Sequence, residues 1–154
     1  MQRKGRVKIQ RLMVNGRRYH IGIAVADFNA DITGKLLAGA LAALTNAGVQ
    51  KNDIRVVHVP GSFELPLACQ KLAKTGKYDA LVALGCVIKG ETDHYHYVAG
   101  EASRGVMDVM LKFDIPIGFG ILTTNTLEQA IARSGKKIDA GGSAAKAALR
   151  MVSP

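Results

Sequence analysis

A chain of 154 residues is long enough to bury the core of one domain and too short for two ordinary domains. Hydrophobic residues make up 48% of it and there are only four prolines, which excludes a disordered or collagen-like chain. The net charge of +9 is concentrated in residues 1–18, which hold seven of the 21 Lys and Arg residues and no Asp or Glu. We therefore predict a basic N-terminal arm over residues 1–18 and a single domain over residues 19–154.

The basic arm could attract RNA, anionic lipid or a phosphorylated metabolite through long-range charge. The alternative is a solvated arm or an edge strand that its Lys and Arg side chains keep soluble, and this interpretation is preferred. Any binding to nucleic acid is therefore expected to be weak, non-specific and confined to low salt.

Targeting and redox signals are also absent from the sequence. No run of about 18 apolar residues could span a bilayer, and the basic start lacks the apolar stretch of a secretory signal. Cys69 and Cys86 lie in apolar segments without a CxxC or Cys/His cluster, so neither a disulfide framework nor a metal site is expected. We expect a cytoplasmic protein that does not associate with membranes.

The first half of the domain alternates between strand and helix patterns. Residues 20–26, HIGIAVA, predict a strand, and residues 34–47 predict a helix that Asp31 caps. A second strand is predicted over residues 54–59, before a Pro-Gly pair, and a second helix over residues 63–74. This order of elements favours parallel strands.

The second half of the domain continues the alternation. Residues 80–88 are almost continuously apolar, which is typical of a central parallel strand buried on both faces. A long helix is predicted over residues 92–111 and a fourth strand over residues 115–122. Two further helices are predicted over residues 127–133 and 143–151.

Alternating strands and helices predict an α/β fold, a three-layer α/β/α sandwich around a mostly parallel four-stranded sheet, because right-handed crossovers place helices on both faces. Ligands of such sheets bind beyond the carboxyl ends of the strands. We therefore expect the chemistry at Phe28, at residues 61–64, at residues 90–94 and after Leu122.

Several common site motifs are missing from these strand ends. No strand is followed by GxGxxG or GxxxxGK[ST], which disfavours a dinucleotide or P-loop site. Neither a GxSxG elbow nor an HExxH pattern occurs, which disfavours serine and zinc hydrolases. What remains suits a small ligand that is polar, phosphorylated and aromatic.

Two early segments suit the aromatic and hydroxylated parts of such a ligand. Phe28 follows the first strand, where its ring could stack on a flat heterocycle; the alternative is a ring folded back into the core. In VPGSFELP, residues 59–66, Ser62 and Glu64 could bind a polyhydroxyl chain. The alternative for this pair is an ordinary helix cap with an acid in the first turn.

The segment GCVIKGETDHYHYV, residues 85–98, suits an anion and a proton transfer. Free N–H groups at a helix start near Thr92 could bind a phosphate. His94 lies in the first helical turn, close enough to such an anion to donate or accept a proton, although a helix-start histidine can also be only a cap. His96 points about 200° round the helix from His94, at ~100° per residue, and is interpreted as a surface or interface side chain.

The segment FGILTTNTLEQAIAR, residues 119–133, offers an aromatic ring and a cation. Phe119 lies on the predicted fourth strand. Arg133 could clamp a phosphate, because a guanidinium matches phosphate oxygens bidentately. An exposed charge at a helix C-terminus explains Arg133 equally well.

Taken together and in this order, from Ile21 to Met151, these segments resemble the 6,7-dimethyl-8-ribityllumazine synthase family. The resemblance is carried by the strings IGIAVADFNADITGKLLAGA, VPGSFELPLA, ALGCVIKGETDHYHYV, PIGFGILTTNTLEQAIAR and AAKAALRM. It implies a flavodoxin-like sheet with an additional strand from the N-terminal arm. It also implies condensation of 5-amino-6-(D-ribitylamino)uracil with 3,4-dihydroxy-2-butanone 4-phosphate, releasing phosphate and water, without cofactor or metal.

The resemblance assigns roles residue by residue. Contacts to the pyrimidine and its ribityl chain fall on Phe28, Ser62, Phe63, Glu64, Cys86, Val87 and Ile88. Glu91 and Thr92 match the backbone cradle for the ketone phosphate, and His94 matches the general acid/base. Phe119 matches an aromatic contributed by a neighbouring subunit, and Arg133 matches the phosphate-binding arginine.

Three departures from the family pattern accompany this match. Lys89 stands where arginine is common, His96 stands where an acid is common, and residues 140–142 are Ala-Gly-Gly where Asn-Lys-Gly is usual. The last departure leaves open the conformation of the loop after Arg133. Family members form pentamers, decamers or sixty-subunit shells, so a homo-oligomer with sites between subunits is expected.

Two alternatives share the fold. An archaeal-type riboflavin synthase would dismutate two lumazines, but the presence of both His94 and Arg133 favours the phosphate-using enzyme. A non-catalytic shell or polyanion-binding protein is suggested by the basic arm and the altered glycine segment.

Overall fold

The computed structural model describes residues 16–152, and these form four strands and five α-helices, which alternate as far as the fourth helix. The strands are β1 Ile21–Ala26, β2 Ile54–Val59, β3 Ala80–Ile88 and β4 Ile117–Thr124. The helices are α1 Ala30–Asn46, α2 Leu65–Lys74, α3 His94–Phe113, α4 Leu127–Ser134 and α5 Ala140–Val152. The predicted arm strand falls mainly in residues 1–15, which lie outside the described residues.

All four strands are parallel and pair in the order β2-β1-β3-β4. Because the chain reverses its direction of travel across the sheet after β2, β1 and β3 are the central strands. This is the flavodoxin-like order, and it confirms the predicted α/β class.

Helices cover both faces of the sheet and divide the core into two. On one face, alternate side chains of β1 and β3 pack against α1, α4 and α5, with Leu36 and Leu44 fully buried. On the other face, Leu65 and Cys69 of α2 and Val106 of α3 pack against the remaining strand side chains. β3 is buried on both faces along nearly its whole length, as its apolar run predicted.

Several element boundaries differ from the prediction by one to four residues, and the shifts at the start of α1 and around β4 have an identifiable cause. Helix α1 begins at Ala30, four residues before the predicted start, and its N-cap is Asn29, not Asp31. The Asn29 carbonyl accepts the N–H groups of Ile32 and Thr33. Strand β4 begins two residues late because the N–H of Ile115 donates to Met110 and closes the end of α3.

The expected loop at residues 140–142 is instead the first turn of α5. The Asp139 side chain accepts the N–H of Gly142 at 2.8 Å and its carbonyl accepts the N–H of Ser143 at 2.9 Å, so Asp139 caps the helix. Gly141 packs against the backbone of Leu36 in α1. Gly141 therefore serves close packing between α1 and α5, and Gly142 leaves room for the capping Asp139 carboxylate.

Candidate active site

A cavity of about 640 Å³ lies at the carboxyl ends of β1, β2 and β3. Among the sequence-predicted site residues, those that line it are Phe28, Ser62, Phe63, Glu64, Cys86, Val87, Ile88, Thr92 and His94. Pro60, Gly61 and Gly90, from the turns that follow β2 and β3, also line it. The predicted strand-end location is therefore where residues from three separate segments meet.

Phe28 stands on a turn that is anchored by main-chain hydrogen bonds on the β2 side. The N–H of Asp27 donates to Val59 at 2.8 Å and the N–H of Phe28 donates to Pro60 at 3.0 Å, so the β1–β2 ladder extends past both strands. Asn29 then adopts a left-handed conformation, with φ 60°, and turns the chain into α1. The Phe28 ring is 71% exposed, which rules out a ring folded back into the core.

On the other side of Phe28, the Asn29 side chain links the turn to the end of β3. Its Nδ2 donates to the Cys86 carbonyl at 2.9 Å. The turn that carries the aromatic ring is thus attached to both neighbouring strands. The Phe28 turn is therefore held in place between the residues at the end of β2 and those at the end of β3.

Ser62, Phe63 and Glu64 form a single 3-10 turn between β2 and α2. Ser62 is buried beside Gly85 of β3, and Phe63 and Glu64 are exposed. Helix α2 begins with Leu65 and Pro66 and has no side-chain cap. Neither Ser62 nor Glu64 makes a side-chain capping hydrogen bond, although Glu64 occupies the N-cap position of α2, and both residues line the cavity.

His94 is the first residue of α3 and lines the cavity. Its N–H lies 3.4 Å from the Thr92 hydroxyl oxygen and donates to it, so Thr92 organises the start of the helix. His96 is exposed and absent from the cavity lining, and its ring meets the Tyr95 ring edge-on at 5.3 Å. Of the two histidines only His94 lines the cavity, which agrees with the different directions that the helical spacing predicted.

Three lining residues of α3 were not singled out from the sequence: Tyr95, Tyr97 and Val98. Tyr97 and Val98 lie three and four residues after His94, so they share its side of the helix. That spacing is visible in the sequence and is the signal by which they could have been found.

Glu91, Phe119 and Arg133 are not brought to this cavity within the described chain. Glu91 is exposed in the loop before α3. Phe119 projects from β4 into a separate groove of about 450 Å³ that it shares with Met110, Ala144 and Met151. The Arg133 guanidinium is exposed and donates from Nη1 to the Gln129 carbonyl of its own helix at 3.0 Å.

Burial controls the chemistry of Cys86, which lies on the cavity wall at the end of β3. Desolvation raises the pKa of its thiol from 9.0 to about 11. A raised thiol pKa keeps the protonated form up to that pH, and the thiolate is the reactive form. Cys86 is therefore a neutral, weakly polar part of the wall at neutral pH and not a nucleophile.

Alkylation tests this directly. Cys86 is expected to hold about 100-fold less thiolate at neutral pH than a thiol of pKa 9.0, and its reaction with iodoacetamide should accelerate about tenfold per pH unit towards pH 11. Peptide mapping by mass spectrometry separates it from Cys69, whose thiol pKa burial raises to about 12. Labelling of Cys86 at pH 7.5 as fast as in the urea-unfolded chain would contradict the raised pKa.

Two kinds of feature are absent from residues 16–152. No group of three or more His, Cys, Asp or Glu side chains in this part of the chain is arranged to hold a metal ion. No helix over the same residues is long and apolar enough to cross a membrane.

Comparison with known families agrees with the geometry. The family described as 6,7-dimethyl-8-ribityllumazine synthase matches residues 18–154, which include every predicted site residue and the whole sheet. Its name is that of an enzyme of riboflavin synthesis. Since the match covers nearly the entire chain, the protein belongs to the 6,7-dimethyl-8-ribityllumazine synthase family.

Proposed function

We propose that the chain condenses 5-amino-6-(D-ribitylamino)uracil with 3,4-dihydroxy-2-butanone 4-phosphate to form 6,7-dimethyl-8-ribityllumazine, as a transferase of riboflavin biosynthesis. The observation that carries the proposal is the strand-end cavity, in which an exposed aromatic ring, polar turn residues and a helix-start histidine meet. Amine attack on the ketone releases water, elimination releases phosphate, and ring closure releases a second water. No net oxidation occurs, so no redox cofactor is proposed.

The pyrimidine substrate fits the first half of the cavity lining. Phe28 offers an exposed ring face for the flat heterocycle. Ser62 and Glu64 offer a hydroxyl and a carboxylate to the ribityl hydroxyls, and Phe63 adjoins them. Cys86, Val87 and Ile88, at the end of β3, supply a further part of the cavity wall.

His94 is proposed as the general acid/base, with Glu91 and Thr92 near the ketone phosphate. Imine formation and phosphate elimination both require protons to move, and an imidazole at the cavity wall can carry them. The start of α3 presents free backbone N–H groups, which favour an anion. Much of the remaining acceleration would come from holding two reactants in contact.

A complete site is proposed to form between two copies of this chain. Phe119 and Arg133 line no part of the cavity of their own chain, which supports a role for them in a neighbour's site. A pentamer, or a multiple of pentamers, would supply such neighbours. Cytoplasmic location and the absence of specific nucleic-acid binding remain predictions from the sequence.

Replacement of Arg133 by Ala is expected to raise KM for the butanone phosphate about tenfold or more, because a charge-assisted contact to phosphate is lost. Arg133→Lys should recover only part of this, since Lys lacks the bidentate fork. Steady-state kinetics at fixed ionic strength provide the measurement, and Arg150→Ala controls for loss of one exposed arginine. An unchanged KM in Arg133→Ala would argue against the phosphate contact.

The decisive experiment mixes the two substrates with the purified protein and follows lumazine absorbance. Formation of lumazine with stoichiometric release of phosphate supports the proposal. A second sample of the protein is given 6,7-dimethyl-8-ribityllumazine alone, and conversion of two lumazines to riboflavin and the pyrimidine there would indicate the archaeal-type riboflavin synthase instead. If neither reaction occurs, the non-catalytic shell protein is the remaining alternative. Light scattering on the same sample gives the assembly size in each case.

A further inference from the structure

A side-chain pair lies just outside the cavity and next to the stacking ring. His58 is on β2, two residues before Pro60, and Asp27 immediately precedes Phe28. Nδ1 of His58 donates to Oδ1 of Asp27 at 2.8 Å. Neither residue lines the cavity, so neither is placed to touch a substrate there.

The chemistry of the pair fixes which partner donates. An ionised carboxylate can only accept, so Nδ1 of the imidazole carries the proton. The His58 and Asp27 side chains are 57% and 63% exposed, respectively, so the pair is not part of the core that holds the fold together. Its effect must therefore be local.

What the pair joins is the base of the turn that presents Phe28. In the β1–β2 register Val25 lies opposite His58 and Ala26 opposite Val59, so Asp27 is the first residue beyond the paired strands. Main-chain bonds from Asp27 and Phe28 to Val59 and Pro60 continue the ladder, and the side-chain bond spans the same two segments. Three hydrogen bonds therefore hold the turn to β2 and the residue after it, two between main-chain groups and one between side chains.

Such fastening matters because the Phe28 ring has little packing of its own. At 71% exposure it makes few contacts that could fix its direction, so the backbone beneath it decides where the ring stands. A looser turn would let the ring sample other positions and would add an ordering cost to ligand binding.

We propose that His58 is a positioning residue for the pyrimidine substrate: through its hydrogen bond to Asp27 it holds the turn that presents the Phe28 ring. The inference rests on the proposed stacking role of Phe28. It predicts an effect on binding of the pyrimidine and little effect on the chemical step, which takes place at His94.

Two replacements of His58 separate the hydrogen bond from the bulk of the side chain. His58→Leu keeps an apolar body of similar size and loses the donor. His58→Asn places an amide N–H the same number of bonds from the backbone as Nδ1, so it can still donate to Asp27. The position is exposed, and melting temperatures within about 2 °C of the parent protein would show that both variants fold.

Binding of 5-amino-6-(D-ribitylamino)uracil is measured by calorimetry, and kcat with both substrates by lumazine absorbance. His58→Leu is expected to weaken pyrimidine binding about three- to tenfold, the range for one net hydrogen bond, with kcat within about twofold. His58→Asn is expected to bind as the parent protein does. Phe28→Ala gives the reference value, the loss of pyrimidine affinity when the ring is removed altogether.

The outcomes distinguish this inference from the proposed function. If Phe28→Ala weakens binding and His58→Leu does not, the positioning role is overturned while the function stands. If His58→Asn binds as poorly as His58→Leu, the hydrogen bond is not the cause and the inference is also overturned. A parent protein that binds the pyrimidine but forms no lumazine overturns the function and leaves the binding comparison valid.

Discussion

Replacement of His94 by Ala is expected to lower kcat by about 10²- to 10⁴-fold, the usual contribution of a positioned acid or base. Binding of the pyrimidine substrate should change little, because its proposed contacts come from the turn residues at Phe28 and Ser62 and from the end of β3. Stopped-flow or steady-state absorbance gives kcat, and calorimetry with the pyrimidine alone gives the dissociation constant.

His96→Ala is the matched control for this result. It removes the same side chain two residues along α3, from an exposed position that does not line the cavity. It should keep kcat within about twofold of the parent value, a change far smaller than the loss expected when a general acid or base is removed. An unchanged kcat in His94→Ala, or equal losses in the two variants, would remove His94 from the proposed role.

Replacement of Gly141 by Ala is expected to destabilise the fold by about 1–3 kcal/mol or more, as overpacking of a rigid site does. A Cβ at this position would lie 2.9 Å from the Cα of Leu36 and closer still to its carbonyl group. These are backbone atoms of α1, so no side-chain rotation can relieve the clash. Helices α1 and α5 would have to separate, and urea unfolding at a fixed protein concentration measures the loss.

Gly34→Ala provides a control in the partner helix. Gly34 lies inside α1 and is exposed, and a Cβ added there would have no atom within 4 Å, so the same methyl group meets open space. Since Ala has a higher helix propensity than Gly, the free energy of unfolding of this variant should rise by about 0.5–1 kcal/mol. Equal effects of the two substitutions would show that helix propensity, and not contact with Leu36, governs Gly141.

The predicted elements that matched the structure best were those with a strong local pattern. The apolar run of β3 and the residues of β2 were predicted with the bounds observed, because burial on a sheet leaves a direct trace in the sequence. The start of α1 was misplaced for the opposite reason. Asn29 and Asp31 are both preferred N-cap residue types, so the local pattern offered two starts, and only the folded backbone shows that Asn29 takes the cap.

The glycine segment of α5 shows how tertiary contact can override a local rule. Two adjacent glycines favour a loop when only helix propensity is considered. In the folded chain Gly141 lies against the Leu36 backbone and Asp139 caps the turn, so close packing of α1 and α5 compensates for the weak propensity. The residue at position 36 is far away in the sequence, and this compensation could not be read locally.

Local sequence pattern determined the α/β class, the strand ends as the place for chemistry, and His94 at the start of a helix, because periodicity and helix-start residues act over a few positions. Tertiary structure alone decided which side chains share the cavity. It left Phe119 and Arg133 outside and joined His58 to Asp27. Those outcomes depend on strand order and side-chain direction, which arise from contacts between distant segments and leave no periodic trace in the chain.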